Sequence, residues 1–353
     1  MYLHRLFNPQ ARAYGPATDY QPMVENYQWV VSIGNMDGVH RGHTGLVAEL
    51  IQRAHAHDVG RAGVMIFEPQ PLEYFYGDKA PLRLTSTREK VELLFALGLD
   101  CVLISRFDAR LAATTPLEFV SGLCNALSVH ELVLGEDFRF GRERAGDLEI
   151  MSQLGKSHGF NVARFSEVQA NQMRISSSRI RELIARHDFK GAQDCLGRPF
   201  LLAGRVKYGR QLGRQLGFPT ANIHLERRGQ TLNGVFVGWA HIRYTGLLAF
   251  DASAGTEQGI STKRYMAVAN CGSRPTVDDE NQWQVEVHII DPRYKDQQIK
   301  DQQIYGERLA FEPLKLIRTE QKFAHTELLR KAIAQDLVQA HQFFASIIAE
   351  QGD

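Results

Sequence analysis

The chain has 353 residues, 44% hydrophobic and 23% charged, which predicts about two globular domains with sizeable cores and excludes a disordered or fibrous protein. Its 41 lysines and arginines almost cancel its 40 aspartates and glutamates, so bulk nucleic-acid binding is disfavoured and only a local basic site stays open. Four scattered cysteines (Cys101, Cys124, Cys195 and Cys271) exclude a disulfide framework and a structural zinc site, and no apolar run approaches the roughly 18 residues of a membrane span.

The N-terminal MYLHRLFNPQARAYG lacks the apolar core of a signal peptide, which makes the cytoplasm the expected location. Taken in chain order, WVVSIG (Trp29 to Gly34) is then a short buried-strand candidate. GLVAELIQRAHAHD follows, with Leu46, Val47, Leu50, Ile51 and Ala54 at helical spacing. RAGVMIFEP reads as a second strand, and TSTREKVELLFALGLD as a helix opened by Thr85, Ser86 or Thr87. CVLISRF is a third strand, TTPLEFVSGLCNAL a helix with Pro116 in its first turn, and HELVLGEDF a fourth strand. This alternation predicts an α/β domain with a doubly wound parallel sheet, whose ligand sits beyond the carboxyl ends of the strands. Gly34 to His43 lies at one such end, and Glu68-Pro69-Gln70-Pro71 at another.

After about residue 187 the pattern changes. SSSRIRELIARHDFKGAQDCLG predicts two short helices. FLLAGRV, GVFVGWAHI, YMAVANCG, WQVEVHII and RLAFEPLKLI are short β-like runs separated by glycines, which predicts a small antiparallel barrel or sandwich. A long helical pattern from about Thr319 closes the chain. Its stripe of Phe323, Leu328, Leu329, Ile333, Leu337, Val338, Phe343, Phe344, Ile347 and Ile348 is expected to pack on the barrel. The pentapeptide KDQQI occurs twice in tandem, at 295–299 and 300–304, and reads as an extended hairpin loop.

The stretch SIGNMDGVHRGHTG carries the clearest chemistry. His40 and His43 are three apart, not at the i, i+4 spacing of helical metal ligands. The glycines predict a turn between strand and helix, where backbone N–H groups and the helix N-terminus favour an anion. Two imidazoles beside it, with Asp37, suit charge developing on a transferred phosphoryl or nucleotidyl group.

GNMDGVHRGH resembles the GNFDGVHxGH signature of the bacterial bifunctional riboflavin kinase/FAD synthetase family, with Met36 in place of the usual phenylalanine. FEPQP (Phe67 to Pro71), GEDFRFG (Gly135 to Gly141) and RISSSRIR (Arg174 to Arg181) resemble further segments of its first domain, in the same order; Ser178 replaces a common threonine. The resemblance implies a Rossmann-like nucleotidyltransferase domain, FMN adenylyltransferase, over 1–187. There His40, His43 and Arg179 act at the phosphates, and Gly34, Asn35, Asp37, Gly38, Pro69, Asp137, Ser176 and Ser177 bind nucleotide or flavin.

Residues 188–353 resemble the riboflavin kinase module, a small barrel with a terminal helix. GRQLGRQLGFPTANI matches its GxxLGFPTAN segment. The Thr220 hydroxyl and Asn222 amide suit direct ligation of nucleotide-bound Mg²⁺, a hard cation that takes oxygen donors. VANCGSRPTV resembles ANIGxRPTV, with Cys271 replacing a hydrophobic residue. VEVHIID alternates Val285, Val287 and Ile289 against Glu286, His288 and Ile290, a half-buried strand presenting Glu286 and His288 on one face. The resemblance makes Glu286 the general base for the riboflavin hydroxyl and implies ligand contacts at Gly213, Gly217, Arg274 and Arg318.

The implied activity is phosphorylation of riboflavin by ATP to FMN, then adenylylation of FMN by a second ATP to FAD and pyrophosphate. Small-molecule substrates are expected, with no nucleic-acid or membrane partner, and a monomer or weak homo-oligomer. The rival readings are a kinase with a non-catalytic FMN- or nucleotide-binding first domain, a nucleic-acid binder using Arg205, Arg210 and Arg214, and a flavin sensor without turnover.

Overall fold

The structure is a computed structural model and describes residues 2–6, 27–166, 169–170, 173–208, 216–225, 232–242, 264–274, 282–293 and 304–351. It divides into two compact units, Met1–Ser177 and Ser178–Asp353, whereas the boundary drawn from the sequence falls after residue 187.

The first unit is built on six parallel strands: β1 (Tyr2–Leu6), β2 (Gln28–Ile33), β3 (Gly60–Glu68), β4 (Cys101–Arg106), β5 (Val129–Gly135) and β6 (Asn161–Phe165). Their order is β1-β4-β3-β2-β5-β6, every neighbouring pair parallel. The connections are α1 (Arg41–His55), α2 (Pro71–Tyr76), α3 (Thr87–Ala96), α4 (Ala109–Ala112), α5 (Pro116–Ala126) and α6 (Leu148–His158). The central strands are apolar on both faces because helices cover both: Val30, Val31, Val64 and Ile66 are all fully buried. From β2 the chain steps outward through β3 and β4, then returns to place β5 on the other side of β2. The switch point therefore lies between the carboxyl ends of β2 and β5, where open sheets bind ligands.

Local chemistry sets the helix starts. Of Thr85, Ser86 and Thr87, it is Ser86 that caps α3: its Oγ accepts the Glu89 N–H, and the Glu89 carboxylate accepts the Ser86 N–H at 2.7 Å. Thr115 and Glu118 make the same reciprocal pair at α5, with Pro116 in the first turn as expected. The doubly wound sheet is larger than the four strands expected, because β1 and β6 are short edge strands with little periodic signal. HELVLGEDF is a strand only to Gly135, after which the chain turns.

A short antiparallel pair, β7 (Gln169–Ala170) and β8 (Met173–Arg174), precedes α7 (Ser177–Ala185) and α8 (Phe189–Leu196), the two short helices expected. The second unit is then a closed barrel of β9 (Leu202–Lys207), β10 (Ala221–Leu225), β11 (Gly234–Ile242), β12 (Arg264–Arg274), β13 (Gln282–Ile289) and β14 (Arg308–Arg318), in the order β10-β13-β12-β11-β14-β9. All pairings are antiparallel. Strand β10 was not expected: ANIHL begins within PTAN, at Ala221, and closes the barrel between β9 and β13.

The terminal helix α9 spans Thr326–Gln351, so the expected start near Thr319 is corrected: residues 319–325 are not helical. Phe344 and Ala340 are buried against Val235, Val237 and Val268, flanked by Leu337, Phe343 and Ile347. Leu328, Val338 and Ile348 are exposed, contrary to the expectation that the whole stripe packs. A helix on a barrel buries one face: Leu328 and Val338 fall outside the i, i+3, i+4 series running from Leu329 through Ile333, Leu337, Ala340 and Phe344, and Ile348 lies one turn beyond it, in the last turn of the helix. The tandem KDQQI lies outside the described residues apart from Ile304, which is buried.

Candidate active sites

In the first unit, β2 ends at Ile33 and α1 begins at Arg41, and the chain between them is bent tightly. Gly38 has φ +83°, and Met36 and Val39 also take left-handed φ values of +48° and +39°. For a β-branched residue this backbone is strained by roughly 1–3 kcal/mol, so the surroundings must hold it. They do so through Asp37, which is 2% exposed. Its carboxylate accepts the Leu84 N–H, the Thr85 N–H and the Thr85 Oγ–H at 3.0–3.1 Å, and Thr85 Oγ1 in turn accepts the Gly38 N–H at 3.0 Å. Asp37 therefore clamps the turn to the segment entering α3. Its backbone carbonyl accepts the Ser177 hydroxyl at 2.8 Å, which ties the SSSR segment to the same turn.

His40 is the N-cap of α1. Its Nδ1 accepts the His43 N–H at 3.4 Å, and the two rings stack with centroids 3.7 Å apart and planes 14° from parallel. An Nδ1 that accepts places the proton of a neutral ring on Nε2. A Cβ at Gly42 would lie 3.1 Å from the His40 ring, a tight contact that would require the ring to shift by a few tenths of an ångström.

A cavity of about 560 Å³ opens beside this turn, within the range of small-molecule sites. Gly34, Asn35 and Asp137 line it, with Phe67, Phe107 and Phe138 among its apolar walls. Phe67 and Phe107 meet edge to face at 5.8 Å, and Phe138 stacks on Phe140 at 5.6 Å. Aromatic walls with a few polar groups suit a planar heteroaromatic ligand. Asp137 is exposed and accepts from Arg174 at 2.6 Å. Pro69 follows a cis peptide at the end of β3, but the cavity is lined by its neighbours Phe67 and Pro71. Arg179, on α7, belongs to the second unit.

Beneath the turn lies a polar cluster that the sequence did not disclose. Arg83, 7% exposed, bridges Glu68 and Glu73 with its full guanidinium fork; Glu68 also accepts from Thr87. Burial works against the charge on Arg83, but the two carboxylates outweigh it and its pKa is raised. Lys90 is fully buried on α3; burial lowers its pKa despite Asp37, Glu68 and Glu73 nearby. Burial also pushes the Cys101 thiol up to about 12 and Cys271 higher still, so both remain neutral packing groups.

The second unit gathers its polar residues by strand register. Glu286 on β13 stands opposite Asn222 on β10 and opposite Asn270 on β12. Asn270 stands opposite Val235 on β11, and Val235 opposite Arg318 on β14. Directly opposed residues share a face, so Asn222, Glu286 and Asn270 form one row on the outside of the barrel, over a core containing Val285 and Val287. The expected alternation along VEVHIID is what the burial shows. His288 donates from Nδ1 to the Pro219 carbonyl at 2.7 Å, which fixes the PTAN turn beside the row.

A cavity of about 170 Å³ adjoins the row. Thr220, Asn270, Glu286, His288 and Arg318 line one side, and Ile333 and Leu337 of α9 line the other. Arg318 reaches Asp336 on α9 through two parallel hydrogen bonds of 2.8 and 2.9 Å, locking the helix to the rim. Gly217 sits in a turn at φ +88°. Arg274 ends β12 opposite Gln282, while Gly213 and the side chain of Arg274 lie outside the described residues. Sequence reasoning missed Thr85, Lys90, Asn270 and Asp336. Asn270 alone carried a signal, inside VANCGSRPTV.

Among the described residues no helix is long and apolar enough to cross a membrane. A family profile for FAD synthetase matches residues 23–179, and one for riboflavin kinase matches 196–344. The chain is 39% identical over 316 residues to a bifunctional riboflavin kinase/FMN adenylyltransferase of Escherichia coli strain K12, covering 89% of this chain and 92% of the relative. A Pseudomonas fluorescens protein of the same description is 38% identical, with 90% and 93% covered. A crystal structure described as a macrolide-efflux protein from Streptococcus pneumoniae superposes with a TM-score of 0.68 at 26% identity, over 91% of this chain and 97% of that one. With the parallel-sheet unit and the barrel each matched by its own family, the chain belongs to the bifunctional riboflavin kinase/FMN adenylyltransferase family.

Proposed function

We infer that this chain makes FAD in two steps. Riboflavin and ATP give FMN and ADP in the barrel unit, and FMN and a second ATP give FAD and pyrophosphate in the parallel-sheet unit. The observation that carries the reading is that one chain holds both built sites, the clamped His40/His43 turn and the Asn222–Glu286–Asn270 row.

In the kinase site, Glu286 accepts the hydroxyl proton of riboflavin as the oxygen attacks the γ-phosphorus. The Thr220 hydroxyl and the Asn222 amide supply oxygen donors for nucleotide-bound Mg²⁺. No group of three or more His, Cys, Asp or Glu placed to hold a metal ion occurs among the described residues, and a hydroxyl and an amide oxygen fit a magnesium ion held largely by phosphates. When bound, that ion neutralises the phosphate charge. In the adenylyltransferase site, the His40 and His43 rings donate to the α-phosphate as FMN attacks it, and the phenylalanine-walled cavity takes the isoalloxazine ring. Asp37 and Ser177 position the turn, and Ser176 and Arg179 assist at the phosphates on the strength of the resemblance. The domain division serving these roles is 1–187 and 188–353.

The balanced charge supports small-molecule substrates without a nucleic-acid partner, and a cytoplasmic monomer or weak homo-oligomer without membrane partners completes the proposal. Incubating the purified protein with riboflavin, ATP and Mg²⁺ tests the core of it: absence of both FMN and FAD sinks the reading.

A further inference from the structure

The polar row of the barrel does not stop at Asn222. On the far side of β10, Asn222 stands opposite Lys207, the last residue of β9, so Lys207, Asn222, Glu286 and Asn270 follow one another across four neighbouring strands. Opposed residues share a face, with Cβ atoms about 5 Å apart. The burial agrees: Lys207 is exposed and Asn222 half-buried, while the alternating residues Val206, Ala221 and Ile223 point into the core. Two strand spacings separate Lys207 from Glu286, roughly 10 Å, and a lysine side chain reaches more than half of that.

Two features hold this strand end in place. Tyr208, the next residue, stacks on Tyr305 with centroids 3.9 Å apart and planes 8° from parallel. The Arg205 guanidinium donates to the Gly306 carbonyl at 2.9 Å, and Gly306 N–H donates to the Val206 carbonyl at 3.0 Å. Arg318, the other cation of the row, is committed to Asp336. The Lys207 side chain has no hydrogen bond or ion pair among the described residues.

We propose that Lys207 is a further catalytic residue of the kinase site, whose ammonium contacts a non-bridging oxygen of the transferred phosphoryl group. The proposal rests on the reading of Glu286 and Asn222 given above. In the step, the riboflavin hydroxyl oxygen bonds to the γ-phosphorus as the bond from that phosphorus to the β–γ bridging oxygen breaks. The hydroxyl proton passes to the Glu286 carboxylate, and ADP leaves with the electron pair on the bridging oxygen. Lys207 takes no part in the proton transfer and stabilises charge on the phosphoryl oxygens, a task a guanidinium can share.

The test uses the full chain and compares Lys207→Ala, Lys207→Arg and Glu286→Gln, with FAD formation from supplied FMN as an internal control. Lys207→Ala is expected to lose roughly 100-fold in kcat for FMN formation with the riboflavin KM within about two-fold, and Lys207→Arg to recover most of the loss. FAD formation from FMN stays at the wild-type rate in all three. If Lys207→Ala keeps FMN formation within about three-fold of wild type while Glu286→Gln is inactive, the proposal falls and the site reading stands. If Glu286→Gln is fully active, the site reading itself falls. If both lysine variants lose riboflavin binding, read by quenching of flavin fluorescence, then Lys207 serves only to hold the strand end, and the proposal is overturned.

Discussion

His40 and His43 stack at 3.7 Å because one caps the helix that carries the other: the Nδ1 of His40 accepts the His43 N–H, and the helix start sets both rings side by side. The spacing of three residues, too short for a helical metal pair, is the spacing that joins an N-cap to N3. The same cap places both rings at the helix N-terminus, the end of a helix that favours an anion.

Asp37 holds this arrangement from behind. Asp37→Asn replaces one acceptor oxygen with an amide N–H facing the donors of Leu84 and Thr85. The expected cost is about 1–3 kcal/mol in stability of the first unit, with a fall in FAD formation and no change in FMN formation. Calorimetry together with the two separate assays checks it; equal loss of both activities would contradict a local role.

Asp336 ties α9 to the rim of the kinase cavity. Asp336→Ala leaves the guanidinium of Arg318 partly buried without its carboxylate. It should destabilise the second unit by roughly 2 kcal/mol, less than a fully buried pair because Arg318 keeps some contact with water. Asp336→Glu should retain part of the lost stability. Denaturant melts of the full chain, followed by Trp239 fluorescence, measure it; Trp239 lies beside Phe344 of α9 at 4.8 Å.

Lys90 gives a pH signature. Burial lowers its folded-state pKa, so below that value the buried ammonium is a liability, and the unfolded chain holds its proton to a higher pH. Its contribution to stability therefore rises with pH, from the folded pKa up to the ordinary value of about 10.4. Lys90→Met lacks this titration. The variant's melting temperature should exceed that of wild type most at neutral pH, with the margin narrowing as the pH approaches 10. A margin independent of pH would contradict the assignment.

The sequence disclosed what periodicity and turn chemistry encode. WVVSIG, RAGVMIFE and CVLISR are continuous apolar runs because their strands are buried on both faces, and Thr115-Pro116 marks a helix start by its own capping chemistry. GVFVGWAHI is apolar throughout for a similar reason, with Phe236 fully buried in the barrel and Val235 and Val237 under α9. Long-range partners leave no such trace. Nothing local marks Thr85 as the partner of Asp37, or Asp336 as the partner of Arg318, since each pair is assembled by the fold. Register is equally silent: the row through Asn222, Glu286 and Asn270 exists only once the barrel closes. The edge strands β1 and β6 and the start of α9 escaped because short or amphipathic segments carry weak periodic signals.

The most direct measurement is a paired assay of wild type, His43→Ala and Glu286→Ala, with riboflavin and with FMN as alternative substrates. The expected result is that His43→Ala still makes FMN from riboflavin but no FAD, whereas Glu286→Ala makes no FMN yet converts supplied FMN to FAD. FAD formation by His43→Ala, or FMN formation by Glu286→Ala, at the wild-type rate would contradict it.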